Sequence, residues 1–256
     1  MATMSDPIIQ IEGLSKSFGQ VPILKNLNLD IERDRITFII GHSGTGKTVL
    51  LKLILGLIKP DEGRILVDGQ NIVKFGERRL DRLRRRFGFL FQNAALFDSI
   101  TIGENIAFPL RAHTRLKDKE IWEKVRQKMD MVGLEEIQDR MPSEISGGMR
   151  KRAGLARALI LEPEILLFDE PTTSLDPISA EVVDDLILET QKHIGVTSIV
   201  VSHDIPAALR IANKIAMIYD GSIRAYADSM EFQTLNDPVV QQFLKGENEG
   251  PMFLGE

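Results

Sequence analysis

Eight consecutive residues, Gly41-His42-Ser43-Gly44-Thr45-Gly46-Lys47-Thr48, constrain this chain more than anything else in it. They follow the apolar run Ile36-Thr37-Phe38-Ile39-Ile40 and precede a helical apolar stretch from Val49 to Ile58, so strand, glycine-rich turn and helix succeed one another. Glycines at this spacing let the backbone wrap tightly and turn successive N–H groups inward, where they cradle phosphate oxygens. The helix opening near Lys47 adds the positive end of its dipole. Lys47 is expected to reach the β- and γ-phosphates of a nucleoside triphosphate, and the Thr48 hydroxyl to ligate Mg²⁺. A chance glycine-rich turn is the bland alternative, and the strand before and helix after argue against it.

A second apolar strand, Ile165-Leu166-Leu167-Phe168, ends in Asp169-Glu170. At the carboxyl edge of a parallel sheet, charges emerge from the core toward a ligand. Asp169 is placed to hold Mg²⁺, and Glu170, one residue on, to polarise an attacking water as general base. Alone, this pair reads equally well as a strand running into a solvated acidic turn. The phosphate loop upstream tips the balance.

The rest of the pattern supports an α/β chain. Leu27, Leu29 and Ile31 alternate with polar residues as in a half-buried strand, and Asp68-Gly69 and Asp220-Gly221 mark turns between strands. Ser198–Val201 and Ile215–Tyr219 read as further strands. Between Asn93 and Leu161 the character turns helical: Ile121, Val125, Met129 and Val132 form one stripe with Gly133 as a C-cap, and another helix is expected from Gly147 to Leu161. Strands on either side of a helical block predict a parallel-sheet core with an inserted helical subdomain.

Composition removes other chemistries. There is no cysteine, which excludes disulfides, thiolate zinc sites and thiol catalysis, and four histidines make a histidine-rich metal site improbable. No run approaches the roughly 18 apolar residues of a membrane span, and the opening MATMSDPIIQ lacks the features of a secretory signal. A soluble, intracellular chain is expected. With 37 acidic against 32 basic side chains, the net charge of −5 gives no support to nucleic-acid binding.

Ile145-Ser146-Gly147-Gly148-Met149 resembles the signature of ATP-binding-cassette (ABC) ATPases, usually L-S-G-G-Q, with Ile145 and Met149 departing at its ends. Ser146, Gly147 and Gly148 open a helix and offer a second anion site. The resemblance implies a P-loop NTPase fold: a RecA-like core, an N-terminal antiparallel β subdomain and an inserted α-helical subdomain. It spans residues 8–235, with the core at about 8–92 and 162–235, the helical part at about 93–161, and 236–256 as a tail. It implies a head-to-tail homodimer in which each signature caps the ATP held by the other copy. Phe18 resembles the aromatic that stacks on adenine, a core phenylalanine being the alternative. Gln92 looks like the glutamine touching Mg²⁺ and the attacking water. Asp176, in Ser174-Leu175-Asp176, resembles the loop linking the two ATP sites, and His203 resembles the histidine at the γ-phosphate. ATP and Mg²⁺ are thus the implied cofactors, with Lys47, Gln92, Glu170 and His203 in the catalytic roles.

Within that family, Phe91–Phe97 and Asn105–Thr114, with their "ALF" and "AFPLRAHT" segments, are similar to the ATPases of Mla-type, MCE-associated phospholipid transporters. The implied partners are an integral membrane permease, MCE-domain proteins and small accessory subunits, at the cytoplasmic face of the inner membrane. An importer or exporter of another solute, or a soluble cassette acting on DNA or ribosomes, stays open as an alternative. Phe87, Phe89, Phe91 and Phe97 suit either a core or a groove receiving a partner helix. Arg78–Arg86 reads chiefly as a solvated helix with Leu80 and Leu83 inward, and less as a grip on lipid headgroups or nucleic acid. In the tail, Gly246–Glu256 reads as disordered by default, although Met252-Phe253-Leu254 could dock on a neighbouring subunit.

Overall fold

The computed structural model describes residues 7–252. The elements of the first half are β1 (Ile9–Phe18), β2 (Val21–Ile31), β3 (Ile36–Ile40), α1 (Lys47–Ile54), β4 (Glu62–Val67), β5 (Gln70–Asn71), α2 (Glu77–Arg84), β6 (Phe87–Leu90), α3 (Ile102–His113) and α4 (Asp118–Met131). There follow α5 (Gly147–Leu159), β7 (Ile165–Asp169), α6 (Pro177–Ile194), β8 (Thr197–Ser202), α7 (Ile205–Ile211), β9 (Lys214–Tyr219), β10 (Ser222–Asp228), α8 (Ser229–Thr234) and α9 (Pro238–Lys245). The chain divides into two compact units, residues 1–80 with 199–256, and residues 81–198.

The first unit holds an antiparallel sheet in the order β2-β1-β4-β5. The alternation that marks β2 is the reason it forms: Leu27, Leu29 and Ile31 are buried while Asn26, Asn28 and Asp30 face out. The same unit pairs β3 with β9 in parallel, and β9 with β10 in antiparallel, across the Asp220-Gly221 turn. All five residues of β3 are buried, Thr37 among four apolar neighbours, as expected of a strand covered on both faces.

Helix α1 is shorter than its apolar pattern, which continues to Ile58. Gly56 adopts φ 63°, its N–H bonds the Leu53 carbonyl at 3.0 Å, and the Leu57 N–H bonds Lys52 at 2.9 Å. This pair of bonds closes a Schellman turn, which satisfies the last carbonyls and ends the helix wherever a residue tolerates the left-handed conformation. Leu57, beyond the stop, is consequently exposed.

In the second unit β6 and β7 pair in parallel, Phe87 opposite Ile165 and Leu90 opposite Phe168, and β7 is buried throughout. Helices α3, α4 and α5 pack on one another. In α4 the stripe Ile121, Val125 and Met129 is buried, as its spacing predicts, and Gly133 follows at φ 63°. The helix from Gly147 begins where expected and ends at Leu159.

The tail is better ordered than its composition suggests. Residues 238–245 form α9, whose N-cap Asp237 accepts from the Val239 and Val240 N–H groups and pairs with Arg224. The buried Gln242 side chain then accepts from Met252 N–H at 2.7 Å and donates to Glu247 at 3.2 Å, folding residues 246–252 back onto the helix. One amide thus replaces the disorder expected there, and Met252 is buried with it. Phe253 and Leu254, the rest of the apolar triplet, lie outside the described residues.

Candidate functional site

In the first unit the glycine-rich turn joins β3 to α1. Gly46 sits at φ 92°, and a Cβ there would stand 2.8 Å from Ile23 and 2.9 Å from Leu24, so only glycine fits. No side chain caps α1, so its first N–H groups are not consumed by a cap and can serve an anion. Lys47 is buried, and its ammonium donates to the carbonyls of Gly41 at 2.8 Å and His42 at 3.1 Å. The positive charge is therefore held within the loop. Thr45 donates to the His42 carbonyl, Thr48 is half-buried, and Ser43 and Gly44 are exposed at the tip.

Phe18 is 51% exposed at the end of β1, with the Lys16 ammonium 5.6 Å from its ring, so it is a surface aromatic and not a core one. His203 is exposed just past β8, and Asp204 beside it caps α7.

In the second unit Asp169 closes β7, buried, and Glu170 follows at φ 49°. Gln92 lines a cavity of about 280 Å³ with Gly147, Lys151, Thr173, Ser174 and Leu175. The glutamine and the signature thus meet, together with the loop before Asp176. Ser146 caps α5 by accepting from Met149 N–H at 3.2 Å. Gly148 is hemmed in by Ser179, 3.2 Å from where a Cβ would stand. Asp176 caps α6, and hydrogen bonds from Ser179, first from its side chain and then from its N–H, hold the Asp176 carboxyl below the usual carboxylate range.

The sequence reading missed Lys151. It is buried, its ammonium donates to the Glu170 carbonyl at 3.1 Å, and burial pushes its pKa down to about 8 against the opposing pull of Glu170 and Asp169. A signal was present: Lys151 shares the i, i+4, i+8 stripe of α5 with the buried Leu155 and Leu159.

The phenylalanines divide. Phe87 is buried, whereas Phe91, Phe97 and Phe108 are exposed, and with Phe89 all of them line a groove of about 510 Å³ that also takes in Arg85 and His113. Phe89 and Phe91 meet in a tilted pair with ring centres 4.2 Å apart, and Phe97 and Phe108 in another with theirs 4.9 Å apart. Two side chains hold the groove's loop. Arg157 donates to the carbonyls of Ala94 and Ala95 at 2.7 Å each, fixing two alanines at φ 57° and 47°. Asn105, fully buried, donates to the carbonyls of Phe97, Ile100 and Thr101 and accepts from Phe97 N–H at 2.7 Å. Asn105→Leu strands these buried backbone groups, and about 3 kcal/mol of stability is expected to go. Calorimetry should then show melting lowered by roughly 6–12 °C; an unchanged transition would refute this account of the loop. Along α2, Leu80 and Leu83 are buried as expected, while Arg84 pairs with Asp81 and Arg79 lies 3.8 Å over the Phe75 ring.

A family model described as ABC transporter matches residues 24–173. The chain is 45% identical, over 97% of its length and 94% of the relative's, to the intermembrane phospholipid transport system ATP-binding protein MlaF of Haemophilus influenzae. It is 41% identical to a probable ribonucleotide transport ATP-binding protein of Mycobacterium leprae, over 97% of this chain and 72% of that one. A solved dimeric ATP-binding cassette in a post-hydrolysis state, bound to ADP and Pi, superposes with a TM-score of 0.80 at 31% identity, covering 86% of this chain and 98% of the other.

Proposed function

The chain belongs to the ABC transporter family and is an ATPase, and on that premise we propose that two copies of it power phospholipid movement through an integral membrane permease. The observation that carries this reading is the near full-length identity of 45% to a phospholipid-transport ATP-binding protein. The cassette spans residues 8–235, with its core at 8–92 and 162–235, its helical part at 93–161, and 236–256 as tail.

Each copy holds ATP with the backbone of Gly41–Thr48, with Lys47 on the β- and γ-phosphates and Phe18 against the adenine. Ser146, Gly147 and Gly148 of the other copy cap that nucleotide, and Asp176 belongs to the loop that links the two sites. Glu170 takes the proton of a water as its oxygen attacks the γ-phosphorus. The bond from phosphorus to the β–γ bridging oxygen breaks, and ADP and phosphate result. Gln92 orients the water, and His203 contacts the γ-phosphate. Thr48, Asp169 and Gln92 offer a hydroxyl, a carboxylate and an amide oxygen, a hard donor set that suits Mg²⁺ with phosphate and water completing its shell. Bound there, the ion would neutralise charge on the β- and γ-oxygens.

No helix among the described residues is long and apolar enough to cross a membrane, so the permease supplies the span. The aromatic groove, with Asp81, Arg85 and His113 among its phenylalanines, is where a helical segment of that permease docks. The chain then works as a peripheral subunit at the cytoplasmic face of the inner membrane, with MCE-domain and small accessory proteins as further partners. Affinity purification of the full chain from membranes tests this. Co-purifying permease and MCE-domain proteins are expected; a solute-binding protein or ribosomes in their place would overturn the phospholipid reading.

A further inference from the structure

Glu170 stands at φ 49°, a left-handed conformation that a glutamate keeps only when its surroundings hold it. Two of the contacts that hold it come from Thr173, just downstream. Its N–H reaches the Glu170 carbonyl at 3.3 Å, and its hydroxyl donates to Oε2 at 3.2 Å. Another comes from a different element. Lys151, on α5 and nineteen residues earlier, donates its ammonium to the same carbonyl at 3.1 Å. Lys151 is only 5% exposed, on a stripe otherwise filled by Leu155 and Leu159. An apolar side chain there would avoid the cost of burying a charge, so packing alone does not account for a lysine. Its ammonium meets the backbone of the one residue whose carboxylate direction matters most.

We infer that Lys151 is a positioning residue for hydrolysis: by pinning the Glu170 carbonyl from α5, it holds the left-handed turn that aims the Glu170 carboxylate. This rests on the reading of Glu170 as general base. Lys151 touches neither nucleotide nor water in this role, so its loss is felt in the chemical step and not in ATP binding. The cavity of about 280 Å³ that Lys151 lines with Gln92 and Ser174 leaves room for a longer cation, so arginine can take over the bond.

The test is steady-state ATP hydrolysis by the purified full chain, native and as Lys151→Met, Lys151→Arg and Glu170→Gln. Lys151→Met should lower kcat at least fivefold with KM for ATP within twofold, and Lys151→Arg should keep at least half of the native kcat. A smaller loss in Lys151→Met, a loss that shows in KM instead, or an arginine variant as impaired as the methionine one would overturn the inference. Should Lys151→Met not fold, Lys151→Leu, which continues the stripe of Leu155 and Leu159 without a donor, replaces it, and native kcat there counts against the pin. Glu170→Gln separates the two ideas. If it hydrolyses at the native rate, the general-base reading fails; if it is inactive while Lys151→Met is native-like, only the pin fails.

Discussion

Lys47→Met is expected to weaken ATP binding by about a hundredfold, because it removes a buried cation worth about 3 kcal/mol to the phosphates. Lys47 is 7% exposed, so its charge acts where water screens it poorly. The same ammonium bonds the carbonyls of Gly41 and His42, so the ligand-free protein should also lose about 1–2 kcal/mol, roughly one for each bond. The two effects separate in a thermal-shift titration. At a concentration that stabilises the native chain by about 2.7 kcal/mol, near 100 times its Kd, the variant should gain only about 0.4 kcal/mol. Equal stabilisation by ATP in the two proteins would show that Lys47 serves the loop alone.

The geometry of the glycine-rich loop could be read from sequence because its requirements fall on eight adjacent residues. A close approach at Gly46, an uncapped helix start and a cation at Lys47 each demand a residue type at a set offset. The strands were legible for a similar reason: four apolar residues out of five in β3, and strict alternation over the last five residues of β2, leave little choice of environment. What escaped has its partners far away or in the backbone. Lys151 bonds a carbonyl nineteen residues on, and a carbonyl carries no mark in the sequence. Asn105 serves four backbone groups of the loop before it, and Gln242 serves two of the segment after it, so each looks like an ordinary polar residue of a helix. The phenylalanines show the opposite limit. Their apolar character was plain, but Phe87, Phe89 and Phe91 share one face by spacing, and only the structure shows that Phe87 is covered within β6 while Phe91, just past its end, is 43% exposed. Phe18 needed the structure for the same reason, since half exposure at the end of β1 is what removes it from the core.

Glu170→Gln should be the most severe change to turnover that leaves binding intact. The glutamine has the size of the glutamate, and its amide oxygen can still accept from the Thr173 hydroxyl, while the Lys151 bond is made to the backbone and does not depend on the side chain. The left-handed turn at residue 170 is therefore expected to survive, and only proton acceptance is lost. General-base catalysis contributes about 10²–10⁴-fold, so kcat should fall by that factor with ATP affinity unchanged. Binding without hydrolysis has a structural consequence under the proposed two-copy mechanism. ATP held by one copy and capped by Ser146, Gly147 and Gly148 of the other closes the pair, and only cleavage to ADP and phosphate reopens it. The variant should accordingly accumulate as a dimer when ATP is added, seen by size-exclusion chromatography with light scattering, while the native chain returns to its starting state as ATP is consumed. Turnover at the native rate would remove Glu170 from the role of base. An inactive variant that binds ATP yet does not dimerise would instead place the error in the capping of one copy's nucleotide by the other's signature.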